Sequence, residues 1–371
     1  MNATHSDTHK VSIVVPVCNV ERYLDQCLSS IERQTFGNLE VLCINDGSKD
    51  GSSAIAHAHA ERDTRISVVD KPNEGYGATC NLGLDLATGD YVAIVEPDDY
   101  LEPGMYGNLV AFGDTFDSPV DVIRAPYWRL FEFSDGSSRR VTCAYKGRVN
   151  PPSQPFSVGD GVELLSHHPS IWSAIYRTDY LRERGIRFVE VPGAGWADNP
   201  FLFETLCQTD RIAYLDKPYY NYRENGLAEA MAFAKKNPLV PLARWNDCMD
   251  VIERIGIADR RILSAVTLRG INYCQITEAA AGIGAPGVAD AIDASLRRMN
   301  PDLVLGDARI RPAVRSRFAA SMGLPERRFD TLGYLAHLAD EGLYRMRTNG
   351  LGFVWLTVRD HLGRSRESSS K

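Results

Sequence analysis

Val11-Ser12-Ile13-Val14-Val15-Pro16-Val17 is a run of β-branched residues broken only by Ser12 and Pro16. It shows no apolar–polar alternation, so it reads as a strand buried on both faces. Working outward, Leu24, Leu28 and Ile31 recur at helical spacing, and Gln34-Thr35-Phe36-Gly37 ends that helix. Leu39 to Ile44 is a second apolar strand, Asn45-Asp46-Gly47-Ser48 a turn, and Ala54 to Arg62 a second helix. Ile66 to Val69 follows as a strand, Gly77 to Ala87 as a helix closed by Gly89, and Tyr91 to Val95 as a fourth strand. Strands alternating with helices of this length predict parallel β-α-β units and an open α/β sheet. Ligands of such sheets sit beyond the carboxyl ends of the strands. Those ends are Pro16 to Glu21, Asn45 to Ser48, Lys71 to Gly75 and Glu96 to Asp99, where polar and acidic residues gather.

Three carboxylates stand in four residues at Glu96-Pro97-Asp98-Asp99. They repel one another unless water or a cation separates them, so a solvated acidic loop and a site for Mg²⁺ or Mn²⁺ are both open. Asp46 fits an Asx turn or a contact to a base or ribose. Asp198 precedes the apolar run Phe201 to Leu206, so it fits a helix N-cap or a general base.

The chain has 371 residues, 44% hydrophobic and 24% charged, enough to bury a core in two domains or in one with an added module. Its net charge of −7 argues against general nucleic-acid binding. No two of its eight cysteines form a C-x-x-C pair, so spacing gives no zinc site and reduced core thiols are expected. Met1 to Lys10 is polar, and no stretch reaches the ~20 apolar residues of a membrane span. A cytoplasmic protein is the expectation. Ser134 to Arg140 reads as a hairpin tip or loop, Asn150 to Pro155 as a loop, and the chain from about Lys235 as mostly helical. His57, His59, His167 and His168 are read as structural.

The order of several segments resembles the glycosyltransferases of family 2, which have the GT-A fold. The segments are Val11 to Leu24, Gln34-Thr35-Phe36, Asn45 to Gly51, Asn73-Glu74-Gly75-Tyr76-Gly77 and Ala87 to Tyr91. Asp98-Asp99 stands where that family has its metal-binding acidic motif. Trp172 to Arg177 resembles its acceptor-side segment, Asp198 stands at its catalytic base, and Tyr219 to Arg223 resembles the segment that follows. The resemblance covers about residues 10 to 225.

It implies a Rossmann-like, mixed but mostly parallel sheet flanked by helices, followed by a mainly helical C-terminal region. Residues 1–10 would be a flexible N-terminus and 11–230 the catalytic domain, with 11–110 its nucleotide-sugar half and 111–230 its acceptor half. Residues 231–363 would be the helical region and 364–371 a disordered tail. It implies an inverting, metal-dependent transferase moving sugar from a nucleotide-diphosphate sugar, with UDP first among the nucleotides. The acceptor would be a hydroxyl of a glycan or lipid-linked molecule in surface polysaccharide or glycolipid synthesis. Pro16, Val17, Asn19, Glu21, Asp46, Gly75, Asn81 and Asp98 would hold the donor. Asp99, with Asp98, would hold Mn²⁺ or Mg²⁺, Glu96 would be a supporting charge, and Asp198 would be the base.

Cys18, Cys80, Ala174 and Ala197 depart from that family's usual residues. They motivate the alternative of an inactive nucleotide-sugar or glycan-binding protein on the same fold. The first strand-to-helix turn, Pro16 to Arg22, has no glycine, so a dinucleotide fingerprint is absent. Gly350 to Arg359 is apolar with Arg345, Arg347 and Arg359 around it. It fits a peripheral contact on the inner face of the cell membrane, or packing on the catalytic domain or on a second copy in a homodimer.

Overall fold

The computed structural model describes residues 9–132, 138–193, 195–224, 235–325 and 329–350. The expected apolar tail from Leu351 and the tip of the 127–142 hairpin lie outside them.

The first strand, β1 (Val11–Val17), is buried along its whole length. It lies at the centre because it can: parallel neighbours cover both edges and helices cover both faces. β2 (Leu39–Asp46) and β4 (Tyr91–Ile94) pair with it in parallel, and β3 (Ile66–Lys71) extends the sheet beyond β2. The crossovers are α1 (Glu21–Glu32), α2 (Ser52–Arg62) and α3 (Tyr76–Leu86). In α1 the inward stripe is Leu24, Cys27, Leu28 and Ile31, at the expected helical spacing. Glycine at 83 lets α3 lie directly on β1. A Cβ there would fall 2.2 Å from Val14 Cγ1, a side chain that is stiff at χ1. Gly83→Ala should therefore cost about 1–3 kcal/mol of stability, read as a lower midpoint in urea at unchanged m-value.

After β5 (Tyr100–Leu101) and α4 (Met105–Gly113) the chain adds β6 (Val122–Arg124), then the hairpin β7 (Tyr127–Glu132) and β8 (Ser138–Thr142). A short helix, α5 (Glu163–Ser166), precedes β9 (Ala174–Arg177) and α6 (Thr178–Glu183). Next come α7 (Asp198–Cys207), β10 (Ile212–Tyr214) and β11 (Tyr220–Arg223). The main sheet has the order β10-β6-β9-β4-β1-β2-β3. Only β9 runs against its neighbours. A second sheet, β5-β11-β7-β8, stands beside it. This is the mixed, mostly parallel GT-A arrangement that the resemblance implies.

The remaining described residues are helical. They form α8 (Val240–Ile255), α9 (Arg260–Ala281), α10 (Val288–Arg297), α11 (Pro301–Leu305), α12 (Pro312–Ser321) and α13 (Thr331–Asn349). α8 packs on α7, and α9 packs on α8 and α5, so the helical region backs the second half of the sheet. Its core includes Trp245, whose indole N–H donates to Val266 O at 2.8 Å. All eight cysteines are free thiols, and only Cys18 and Cys207 are partly exposed. Among the described residues no helix is long and apolar enough to cross a membrane.

Candidate active site

The carboxyl ends of β1, β2 and β3 meet around Asp46, the buried last residue of β2. Its Oδ1 accepts from Lys71 Nζ at 2.5 Å and Glu74 N at 2.8 Å, and its Oδ2 from Gly75 N at 3.0 Å. Burial pushes this carboxyl up, but Lys71 and the two amides outweigh it and hold it below the ordinary value. The Asx turn open to Asp46 from the sequence is not what closes this loop; Asn45 Oδ1 accepts from Ser48 N at 3.2 Å. Lys71 itself carried no sequence signal beyond its place at a strand end.

The β1–α1 loop is tied to the loop after β2. Asn19 has φ of 52°, and its Oδ1 accepts from Lys49 N at 2.8 Å. Glu21 Oε2 accepts from Gly51 N at 2.6 Å. Pro16 and Val17 are buried strand residues, so they shape the floor rather than offer side chains. Gly75 has φ of 95°, and a Cβ there would lie 2.6 Å from Val191 O. Any other residue would push the 189–193 segment off the first turn of α3.

Asn81 does not fit the donor contact expected of it. It is 3% exposed. Its Nδ2 donates to Phe188 O at 3.0 Å and Glu190 Oε1 at 2.8 Å, and its Oδ1 accepts from Phe188 N at 2.9 Å. Both donors are spent inside the protein, so its work is to anchor residues 188–190 to α3.

Beyond β4 the acidic residues separate by exposure. Asp98 faces solvent, while Asp99 is 1% exposed. Asp99 Oδ1 accepts from Arg223 N at 2.7 Å, and the Asp98 carbonyl accepts from Arg223 Nε at 2.6 Å. Asp99 Oδ2 is buried without a hydrogen-bond partner. Burial, then the Asp98 charge, pushes the Asp99 carboxyl well up, and the Arg223 amide and nearby Tyr220 hydroxyl offset this only in part. Glu96 Oε1 accepts from Tyr76 OH at 2.6 Å. Burial, then Asp98 and Asp198, raise Glu96 to about 8 against the pull of Tyr76. Exposure thus separates the pair expected to hold metal: Asp98 faces solvent, and Asp99 is turned inward and braces β11.

Among the described residues no three His, Cys, Asp or Glu side chains form a ready-made metal cage. The donor set here is carboxylate oxygen throughout, with the exposed Asp98 beside Glu96 and Asp99, and it suits a hard cation that takes one or two protein ligands and fills the rest with phosphate and water.

Asp198 opens α7, but it does not cap it: Ala197 is the N-cap and no side-chain cap bond forms. The carboxylate is only partly buried, and its charge reaches Glu96, Tyr76 and Tyr222. Burial raises it above the ordinary value, with Arg269 and Asn199 pulling the other way. Asn199 Nδ2 donates to Asp198 Oδ1 at 3.1 Å. The orientation of that amide is fixed from behind. Asn199 Oδ1 accepts from Arg269 Nη1 at 2.6 Å and from Tyr273 OH at 2.5 Å, so only its N–H₂ end can face Asp198. Trp196, held at φ of 54°, packs its ring edgewise on Tyr273 at 5.2 Å. Both α9 residues lie outside the stretch that resembled a known family, so sequence reading had no signal for them. We expect Arg269→Met to lower kcat about 10- to 100-fold while leaving the donor KM unchanged, and to shift the acidic limb of the pH profile upward as the cation that favours the Asp198 carboxylate is lost. Steady-state kinetics across pH checks this.

On the second sheet's side the cleft has an aromatic wall. Trp172 stacks on Tyr220 at 4.1 Å and on Tyr222 at 5.2 Å, and Tyr127 meets it edgewise at 4.7 Å. His168 lies against Tyr222 at 5.0 Å. Burial brings its imidazole down to about 4, so it is neutral, and its Nδ1 accepts from Ser170 N at 3.1 Å.

Residues 12–183 match the family described as Glycosyl transferase family 2. The uncharacterized glycosyltransferase EpsJ of Bacillus subtilis is 30% identical over 227 residues, which is 58% of this chain and 61% of EpsJ. The glycosyltransferase GlyA of Streptococcus pneumoniae is 44% identical over 218 residues, 58% of this chain and 30% of GlyA. The chain thus spans less than two thirds of these relatives. The crystal structure of S. aureus TarS 1-349 superposes with a TM-score of 0.65 at 19% identity, covering 85% of this chain and 87% of that one. TarS has also been crystallised with UDP and with UDP-GlcNAc.

Proposed function

We propose, from the membership of residues 12–183 in glycosyl transferase family 2, that this chain is an inverting transferase taking sugar from a UDP-sugar. What supports the reading is the nearness of the carboxylates: Asp98 and Asp198 both act on Glu96, and Glu96, Asp198 and Asp46 all act on the buried Cys80 thiol. UDP as the nucleotide is supported by the TarS complexes with UDP and UDP-GlcNAc.

Asp46, ionised and fixed by Lys71, accepts from the base. Asp98 would hold a divalent cation, with Glu96 behind it as a supporting carboxyl. When bound, that cation neutralises the leaving diphosphate. Asp198 takes the proton of the acceptor hydroxyl as its oxygen attacks the anomeric carbon from the face opposite the diphosphate. The bond to the diphosphate breaks in the same step, which inverts the centre and needs no covalent enzyme intermediate. The half-buried Tyr222, backed by the buried Trp172, is the aromatic ring available to an acceptor sugar. Burial raises the Asp198 carboxyl above its ordinary value, which makes it a stronger proton acceptor.

The acidic cluster makes a pH-dependent prediction. Glu96 is raised from 4.5 to about 8, so the folded cluster keeps a proton that the unfolded chain has already lost. Its charging therefore costs stability as pH rises through that window. A cation replaces the proton. The gain in melting temperature from Mg²⁺ plus UDP should grow from about pH 5 to about pH 8. A gain that stays the same at both ends would count against metal at this cluster.

A further inference from the structure

α13 docks on the second sheet by one face along its length and by Asn349 at its C-terminal end. Tyr344 OH donates to Lys146 O at 2.8 Å, Glu341 pairs with Arg148 at 2.6 Å, and Asn349 Oδ1 accepts from Thr142 N of β8 at 2.9 Å. Those bonds fix the helix's rotation. The opposite face is apolar and points away from the protein. Leu332 is 78% exposed, Leu335 53%, Leu338 46%, Leu343 42% and Met346 39%, and no residue of the helix is buried. At 100° per residue these five side chains fill one continuous arc, and Arg345 and Arg347 fall at its two borders.

We propose that this face of α13 is a docking surface for an anionic lipid bilayer, in which the helix lies in the plane of the interface. Charge favours lipid as the occupant. Arginines at the borders of an apolar arc can lay their stems along the acyl boundary and reach lipid phosphates with their guanidiniums. The chain then continues as Leu351 to Val358, with Phe353 and Trp355, followed by Arg359, Arg364, Arg366 and Lys371 against Asp360 and Glu367, an excess of positive charge. Apolar and interfacial aromatic residues succeeded by cations repeat the same chemistry next to the helix. A second copy is a poorer occupant. The arc offers on the order of 400–500 Å² of apolar surface, well below the ~800 Å² per partner of a stable interface. β8 lies two strands from β11, roughly 10 Å at ordinary strand spacing, so the surface is on the acceptor side of the cleft. The lipid contact does not rest on the transferase reading; only its use in presenting a lipid-linked acceptor does.

The test is co-sedimentation of the full chain with vesicles of phosphatidylcholine alone and of phosphatidylcholine mixed with phosphatidylglycerol. Binding to the mixed vesicles is expected, weakened by salt and lowered at least about tenfold by Leu335→Asp with Leu338→Asp. Arg345→Gln with Arg347→Gln should abolish the preference for mixed vesicles. UDP binding and melting temperature serve as fold controls and should not move, since these side chains are exposed. Failure of the wild type to sediment with mixed vesicles overturns the proposal, as does binding that survives the leucine pair. A dimer of the wild type that the leucine pair converts to monomer would assign the face to a second copy instead.

Discussion

Asp198→Asn should lower transfer about 10²- to 10⁴-fold while UDP binding and the melting temperature stay near wild type. Asparagine keeps the size of the side chain and can still meet Asn199, but it cannot accept a proton from the acceptor. Structural loss is not expected because the N-cap of the helix is Ala197, and an asparagine can still accept from Asn199 Nδ2. The useful comparison is with Asn199→Ala. That change leaves the carboxylate in place and removes its orientation, so kcat should fall by less than in Asp198→Asn. Equal full activity in both variants would remove the base from this position.

Asp98→Asn should be nearly as damaging, by a different route. The exposed carboxylate is the one able to share a cation with the donor's diphosphate. Its loss should reduce turnover about 10²-fold or more and erase the stabilisation that Mg²⁺ adds to UDP. Asp99→Asn provides the contrast. Asparagine keeps an oxygen for the Arg223 amide, so this variant should hold a melting temperature near wild type. Its response to Mg²⁺ should persist. Calorimetric titration of UDP with and without Mg²⁺ separates the two. If Asp99→Asn lost the metal response and Asp98→Asn kept it, the assignment made from exposure would be inverted.

Much of the fold was legible because apolar runs report burial directly. Val11 to Val17 has no polar side that water could wet, so it had to be central, and the helices between strands then fixed parallel pairing. The strand ends drew attention to Asp46 and to the 96–99 cluster for the same reason. What the sequence could not show was which carboxylate of a tight pair turns inward. Asp99 turns inward to meet the amide of Arg223, well over a hundred residues away, and its neighbour Asp98 stays exposed. Asn81 was misread for a similar cause. Its place on α3 faces the donor loops, but residues 188–190 return to take all of its donors. The support behind Asp198 was equally hidden, since Arg269 and Tyr273 belong to a helix that looks like any buried amphipathic segment. The apolar face of α13 was not foreseen either, because helical spacing alone does not say whether an apolar stripe points in or out.

The central claim is a metal-assisted transfer from a nucleotide sugar by this cleft. Its most direct measurement is nucleotide release from a panel of sugar nucleotides by the full chain, with Mn²⁺ and with chelator. The account predicts release from a UDP-sugar that collapses when the metal is chelated and is lost in Asp98→Asn. Tight UDP binding with no release from any sugar nucleotide, or release indifferent to chelator, would contradict it.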